Sequence, residues 1–364
     1  MKKRLTALII AAGLLCSCGT NNQQQTTPTT AETTTTAATE AATTTEAAET
    51  TTTAAETEEI VVETEAAKPA VVITDHVVEG NSEGLAPAIW QVTDPDSGNT
   101  LKMMGTIHII PDGTSVVPQY AMDIYNESAG VAVEYDISKI QTDLVLQIMY
   151  LSYFMLDDGE LITDHLSPET YEAAKAYLTE AGVYNESYDA YSPAFWESLI
   201  TSGMIMSIEG MKESGVDSYF IELAKADGKE VRSIESLETQ MDAITFMTDE
   251  LCEYNISEML SLDAEEMEES FMELYNTWAT GDVDALTESE TESLDEYPED
   301  LRADYEAYNQ KLLYDRNVGM ADKAAEYIEN GDSIFYMVGF AHMCGDDSVP
   351  DLLEEMGYTV ERIY

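Results

Sequence analysis

The pattern of apolar and polar positions divides the chain into three stretches. Leu5 to Leu15 is a nearly unbroken apolar run behind Lys2, Lys3 and Arg4, the length of a secretory leader's core and too short to cross a bilayer. From Gly19 to about residue 68 the sequence collapses to Thr, Ala, Glu and Gln with repeated Thr runs and no aromatic side chain. Such a segment cannot bury enough surface to offset its chain entropy, so a disordered tether is expected over 19–68. Structure-like patterning begins near Pro69 and continues to the end of the chain, which predicts one folded domain over 69–364.

Within that domain, Ala88 to Val92 and Thr100 to Thr106 are β-prone runs joined by a polar loop containing Asp94-Pro95 and Gly98, which predicts a hairpin. Pro118 to Ser128 has helical spacing, and Val131-Ala132-Val133 reads as a short, fully buried strand. From Ile140 to Gly228 helix follows helix, punctuated by Ser167-Pro168, Gly182 and Gly215; Glu230 to Ile234 returns to strand. Asp242 to Ala279 and Pro298 to Asn330 are helical and acidic, and the chain closes with a strand over Ser333 to Val338, a helix over Ser348 to Met356 and a strand over Tyr358 to Ile363. Strands alternating with helices predict an α/β fold with a mixed, largely parallel central sheet. The two helical blocks, about 140–228 and 242–330, predict an insertion or cap over it.

Charge sharpens the picture. The 364 residues include 16 Lys and Arg against 71 Asp and Glu, a net charge of −55. Phosphate groups are repelled by such a surface, which excludes nucleic acid and anionic membranes as default partners. Leu15-Cys16-Ser17-Cys18 resembles a bacterial lipobox, with an aliphatic residue three places before the modified cysteine and a small one directly before it. Cys18 fits as the lipidated residue, and residues 1–18 as the lipoprotein leader. The expectation is a domain tethered to the extracytoplasmic face of the cell membrane through a lipid on Cys18. Cys252 and Cys344 could pair in an oxidising compartment, but their separation of 92 residues says nothing of proximity and buried thiols are the default for both.

The candidate chemistry lies at four strand ends. One run leads into Gly105-Thr106-Ile107-His108, one ends at Glu134, one at Glu235, and one leads into Gly339-Phe340-Ala341-His342. In an open α/β sheet ligands bind beyond the carboxyl ends of the strands, so two histidines and two carboxylates converge there if these strands are parallel neighbours. Gly-x-x-His alone is weak, but two of only four histidines occupy it after matching apolar strands. A carboxylate directly after a buried strand, as at Glu134, is costly unless paired or bound to a cation. His165, just before a helix start, and His76, ahead of the first recognisable strand, read as surface or capping residues. Met204, Met206 and Met211 read as core packing.

These residues carry a resemblance. Trp90-Gln91-Val92, Met104-Gly105-Thr106-Ile107-His108, Pro118 opening a helix and Val133-Glu134 resemble the amino-terminal half of the TraB/GumN family, which includes the TIKI proteases. Gly215-Val216-Asp217, Gly228-Lys229, Ile234-Glu235 with Gln240, Arg316-Asn317, Val338 to Met343 with Gly345, Leu352-Leu353 and Gly357-Tyr358-Thr359-Val360 follow in that family's order. The resemblance spans about residues 85 to 364. It implies a domain similar to the erythromycin-esterase and ChaN-like folds, with His108, Glu134 and His342 at the active site and Glu235 and Arg316 as further catalytic candidates. TIKI members are described as divalent-metal-dependent proteases, and another branch is associated with shutting down peptide pheromones. Cys344, where an apolar residue is more usual, and the unusually acidic helical block depart from the pattern.

Histidine and carboxylate donors with an open position suit Mn²⁺, Co²⁺ or Zn²⁺, with His108 and His342 as ligands and Glu134 as ligand or general base. Arg316 would orient a carboxylate or an oxyanion, or else serve as an ion-pair partner. The expected function is a surface-tethered, metal-dependent hydrolase acting on extracellular peptides. The alternatives are a non-catalytic lipoprotein that sequesters a peptide or small ligand, and a metal-free, esterase-like hydrolase with His108 as base.

Overall fold

The computed structural model describes residues 85–111, 117–212 and 215–364. The leader, Cys18, the tether over 19–68 and His76 lie outside the described residues. The expected hairpin forms from β1 (Ile89–Thr93) and β2 (Thr100–Thr106), antiparallel with Ile89 opposite Met104 and Thr93 opposite Thr100. Its loop is held by the Asp94 carboxylate, which accepts the Asp96 N–H at 2.9 Å. Gly98 takes the left-handed position, φ 76°, that the turn back to β2 requires.

β1 and β2 belong to a six-stranded sheet with β4 (Gly130–Val133), β6 (Glu230–Ser233), β7 (Ile334–Gly339) and β8 (Thr359–Arg362), in the order β6-β4-β7-β2-β1-β8. β6, β4, β7 and β2 run parallel; β1 is antiparallel to both β2 and β8. The sheet is therefore mixed and largely parallel, as the alternation of elements predicts. β7, buried along almost its whole length, is the uninterrupted apolar run expected of a strand covered on both faces. The edge strand β8 is mostly exposed and carries Glu361 and Arg362, which discourages pairing with another chain.

Helices α1 (Gln119–Glu127), α6 (Val216–Asp227), α12 (Asp315–Asn330) and α13 (Val349–Glu355) accompany the strands, with α6 packed on β4 and β6. The rest form the helical insertion. Between β4 and β6 lie α2 (Ser138–Thr142), α3 (Leu144–Ser152), α4 (Pro168–Glu180) and α5 (Pro193–Ser207). Between β6 and β7 lie α7 (Leu237–Ile244), α8 (Asp249–Ser261), α9 (Ala264–Thr280), α10 (Val283–Glu296) and α11 (Arg302–Asn309). α8 packs on α4 and α5, so the two blocks form one helical layer, with a second apolar cluster around Phe154, Met241, Leu251, Tyr297 and Tyr305.

Two features escape the sequence pattern. α10 fills the stretch between the two acidic helical blocks, where Thr, Glu and Ser surround the buried Leu286 and mask its period. A two-residue ribbon of β3 (Ile110–Pro111) and β5 (Met211–Lys212) is too short to show any alternation. α11 runs into α12 through a π-helical turn over Gln310–Tyr314, directly ahead of Arg316. Such turns often occur at functional sites.

Candidate active site

The four parallel strands deliver their ends to one rim. After β2, the chain turns at Gly105-Thr106-Ile107-His108, and Trp278 of α9 fixes the turn by donating its indole N–H to the Gly105 carbonyl at 3.0 Å. Gly215 caps α6 against this turn: a Cβ there would run into the Ile107 and His108 backbone, so only glycine lets the helix start come so close. The Val216 N–H bonds the Ile107 carbonyl at 2.9 Å. That docking sets Asp217 beside His108, with Oδ2 2.9 Å from Nδ1, while Oδ1 accepts the Thr106 hydroxyl at 2.6 Å.

Glu134 follows β4 and is buried. Its Oε1 accepts the Gly339 N–H at the end of β7 at 2.6 Å, and its Oε2 accepts from Arg316 at 2.6 Å and from Gln240 at 3.3 Å. Arg316, from the first turn of α12, also grips Glu235 through Nε at 3.0 Å and Nη2 at 2.6 Å, and donates Nη1 to the Leu312 carbonyl at 3.1 Å. One guanidinium thus joins the carboxylates that follow β4 and β6. His342 contacts Asn317 Oδ1 through Nδ1 at 2.6 Å. The Asn317 amide nitrogen donates to the Asp347 carbonyl at 3.0 Å, which fixes the amide and makes Nδ1 the protonated nitrogen of the ring. His342 Nε2 is left as a bare acceptor, 3.7 Å from Glu134 Oε1.

The electrostatics separate the two imidazoles. Burial and Arg316 push His342 down to about 3, against the pull of Glu134, so it is neutral at ordinary pH. Burial would also lower His108, but Asp217, with help from Glu134, outweighs it and raises the pKa above the usual histidine value. Burial would raise Glu134, yet Arg316, both histidines and the Gly339 N–H together hold it at about 2. Glu235 is raised because its burial outweighs Arg316.

His108, Glu134, Arg316 and His342 line a narrow cavity of about 50 Å³, together with Thr106 and Gly339. Phe271, Leu274 and Trp278 of α9 and Leu286 of α10 form an apolar wall, so the helical layer covers the rim. Glu235 does not line the cavity and stands behind Arg316. His165 lies elsewhere, against Asp249 at 2.7 Å and Glu160 at 3.4 Å. No disulfide joins the buried Cys252 and Cys344. Sequence reasoning gave no role to Asp217, Asn317, Gln240 or Trp278; the first three stand inside quoted motifs, and only the fold shows what they touch.

Among the described residues no three His, Cys, Asp or Glu side chains come close enough together to hold a metal ion. The donor types nevertheless fit a divalent transition ion. His342 Nε2 and Glu134 Oε1 are two lone-pair donors facing each other with no proton between them, an arrangement a cation relieves. His108, whose Nδ1 faces the Asp217 carboxylate as a metal-ligating histidine's other nitrogen commonly does, has Nε2 left for a third donor.

An open sheet whose parallel strands end in His, Glu, Glu and His around one buried arginine, under a helical cover, defines an α/β protein with an acid–base site at its carboxyl rim. The chain belongs to the TraB/PrgY/gumN family, whose sequence model matches residues 88–362. It is similar to the protein named Metalloprotease TIKI2 of Danio rerio, at 21% identity over 316 residues, covering 75% of this chain and 60% of that protein. The chain therefore spans less than two thirds of that relative's length. No solved structure matches it.

Proposed function

We propose that this protein is a metal-dependent hydrolase that cleaves extracellular peptides from a lipid anchor on Cys18 at the outer face of the cell membrane. The observation that carries the hydrolase reading is the opposite displacement of the two histidines within one cavity. Environments that push titratable groups apart assign them different roles. Asp217 against Nδ1 of His108 makes that ring a strong donor through Nε2 when a metal is bound and a proton acceptor when none is. His342, kept neutral with Nε2 turned to Glu134, is suited to donating its lone pair and poorly suited to acting as a base. Arg316 fixes Glu134 as a carboxylate, and the walls from α9 and α10 exclude water. A divalent ion held by His342, Glu134 and His108 would polarise a substrate carbonyl and acidify bound water.

The metal analysis is done on the purified chain, wild type beside His108→Ala and His342→Ala, together with hydrolysis of a peptide library. Each variant is expected to lose metal and hydrolysis while remaining folded, and chelation of the wild type to produce the same loss, reversed by Mn²⁺ or Co²⁺. Equal metal content in all three proteins overturns the metal part of the reading. Hydrolysis that survives exhaustive chelation selects the metal-free reading with His108 as base. Metal retention with no hydrolysis of any peptide leaves a binding protein.

A further inference from the structure

α3 has no buried residue, although it is among the most apolar segments of the domain. Leu144 is 68% exposed, Val145 72%, Ile148 60% and Met155, just beyond the helix, 57%. No charged residue occurs from Leu144 to Leu156, in a chain that is 24% charged overall. Leu146 and Tyr150 pack on the second apolar cluster, and Asp143 caps the start by accepting the Val145 N–H at 2.8 Å. The helix is thus fixed in place while its outer face points to solvent. Met149 and Leu151 of the same helix are exposed as well, at 38% and 36%, so the apolar surface it leaves uncovered exceeds the scattered single residues of an ordinary monomer surface.

The charges that flank this helix along the chain have one sign. Asp143 precedes it, and Asp157, Asp158 and Glu160 follow it, all exposed. The cation nearest along the chain, Lys139, is turned toward the Tyr135 ring and Ser233. An anionic bilayer or a second copy of this chain, at −55 each, would bring like charge against those flanks. A peptide with an apolar face and basic residues beside it meets both features: it covers the apolar strip and neutralises the rim. We propose that α3 and its acidic flanks form a docking surface for a cationic amphipathic peptide. The proposal stands on this surface alone and does not depend on the reaction assigned to the rim.

The test uses the full chain carrying Cys18→Ser, so that no lipid is added, and a fluorescent 18-residue Lys/Leu amphipathic peptide whose integrity is followed by mass spectrometry. Saturable binding is expected, weakening as salt screens the flanks, with no binding of the matching Glu/Leu peptide. The variant Leu144→Ser/Val145→Ser/Ile148→Ser removes apolar surface without changing charge and is expected to bind at least tenfold more weakly with an unchanged thermal midpoint. Equal affinity in wild type and variant would overturn the proposal, because attraction to the acidic surface alone would then explain binding. Cosedimentation with phosphatidylglycerol vesicles, or a concentration-dependent dimer, either one lost in the variant, would also overturn it by assigning the face to a bilayer or a second copy.

Discussion

Arg316 is the side chain that permits Glu134 and Glu235 to be buried next to each other. Arg316→Met leaves both without their cation, and a loss of about 3–5 kcal/mol in unfolding free energy is expected from urea titration. Asp217 acts on the proton rather than on the fold. Asp217→Asn retains the shape but withdraws the charge that raises His108, so the pH dependence of kcat/KM should shift its lower limb to lower pH while KM changes little. Glu197 of α5 is the opposite of Glu134: it is equally buried, but its Oε1 has no hydrogen-bond partner among the described residues. Burial alone pushes its pKa from 4.5 up to about 8. Between those values the native protein holds a proton that the unfolded chain has released, so stability falls as pH rises through that window, by at most about 1.4 kcal/mol per pH unit. Glu197→Gln is expected to flatten that slope and to raise the thermal midpoint at pH 8, with little effect at pH 4.

At the scale of elements, the approach of α6 to the end of β2 decides where His108 points. Gly215→Ala forces the helix start away from the Ile107 and His108 backbone, and loss of activity beyond a hundredfold is expected in a protein that still folds. Gly228→Ala, at the left-handed end of the same helix with open space around it, should cost only about 1 kcal/mol and leave activity unchanged. β4 and β7 were legible as short apolar runs ending at the site, and the repeated Gly-x-x-His made two of the ends stand out; β6, Glu-Val-Arg-Ser, carries a weaker signal. The convergence of the strand ends was not legible, since it depends on β6, β4, β7 and β2 being parallel neighbours. Asp217 and Asn317 were unreadable as partners for a related reason. A carboxylate 109 residues from the histidine it touches leaves no trace in spacing, and only the docking of α6 and α12 onto the rim pairs them.

At the scale of the whole molecule, the expected division between address, tether and domain can be tested by dissection. Cys18→Ser should release the chain from the membrane fraction with its folded domain intact, because no helix among the described residues is long and apolar enough to cross a membrane. Deleting Gly19 to Glu65 should leave the thermal midpoint nearly unchanged, as measured by calorimetry. The sheet adds a mechanical consequence. β1 runs opposite to β2, so Ile89 lies beside Met104 near the rim, and the Ile89 N–H meets the Tyr364 carbonyl at 3.3 Å. The two ends of the domain therefore meet on the side of the sheet where His108 stands. If the proposed lipid anchor holds, tension drawn through the N-terminal side enters at β1 and passes to β2 through their shared hydrogen bonds, so the strand that aims His108 is among the first to feel a pull.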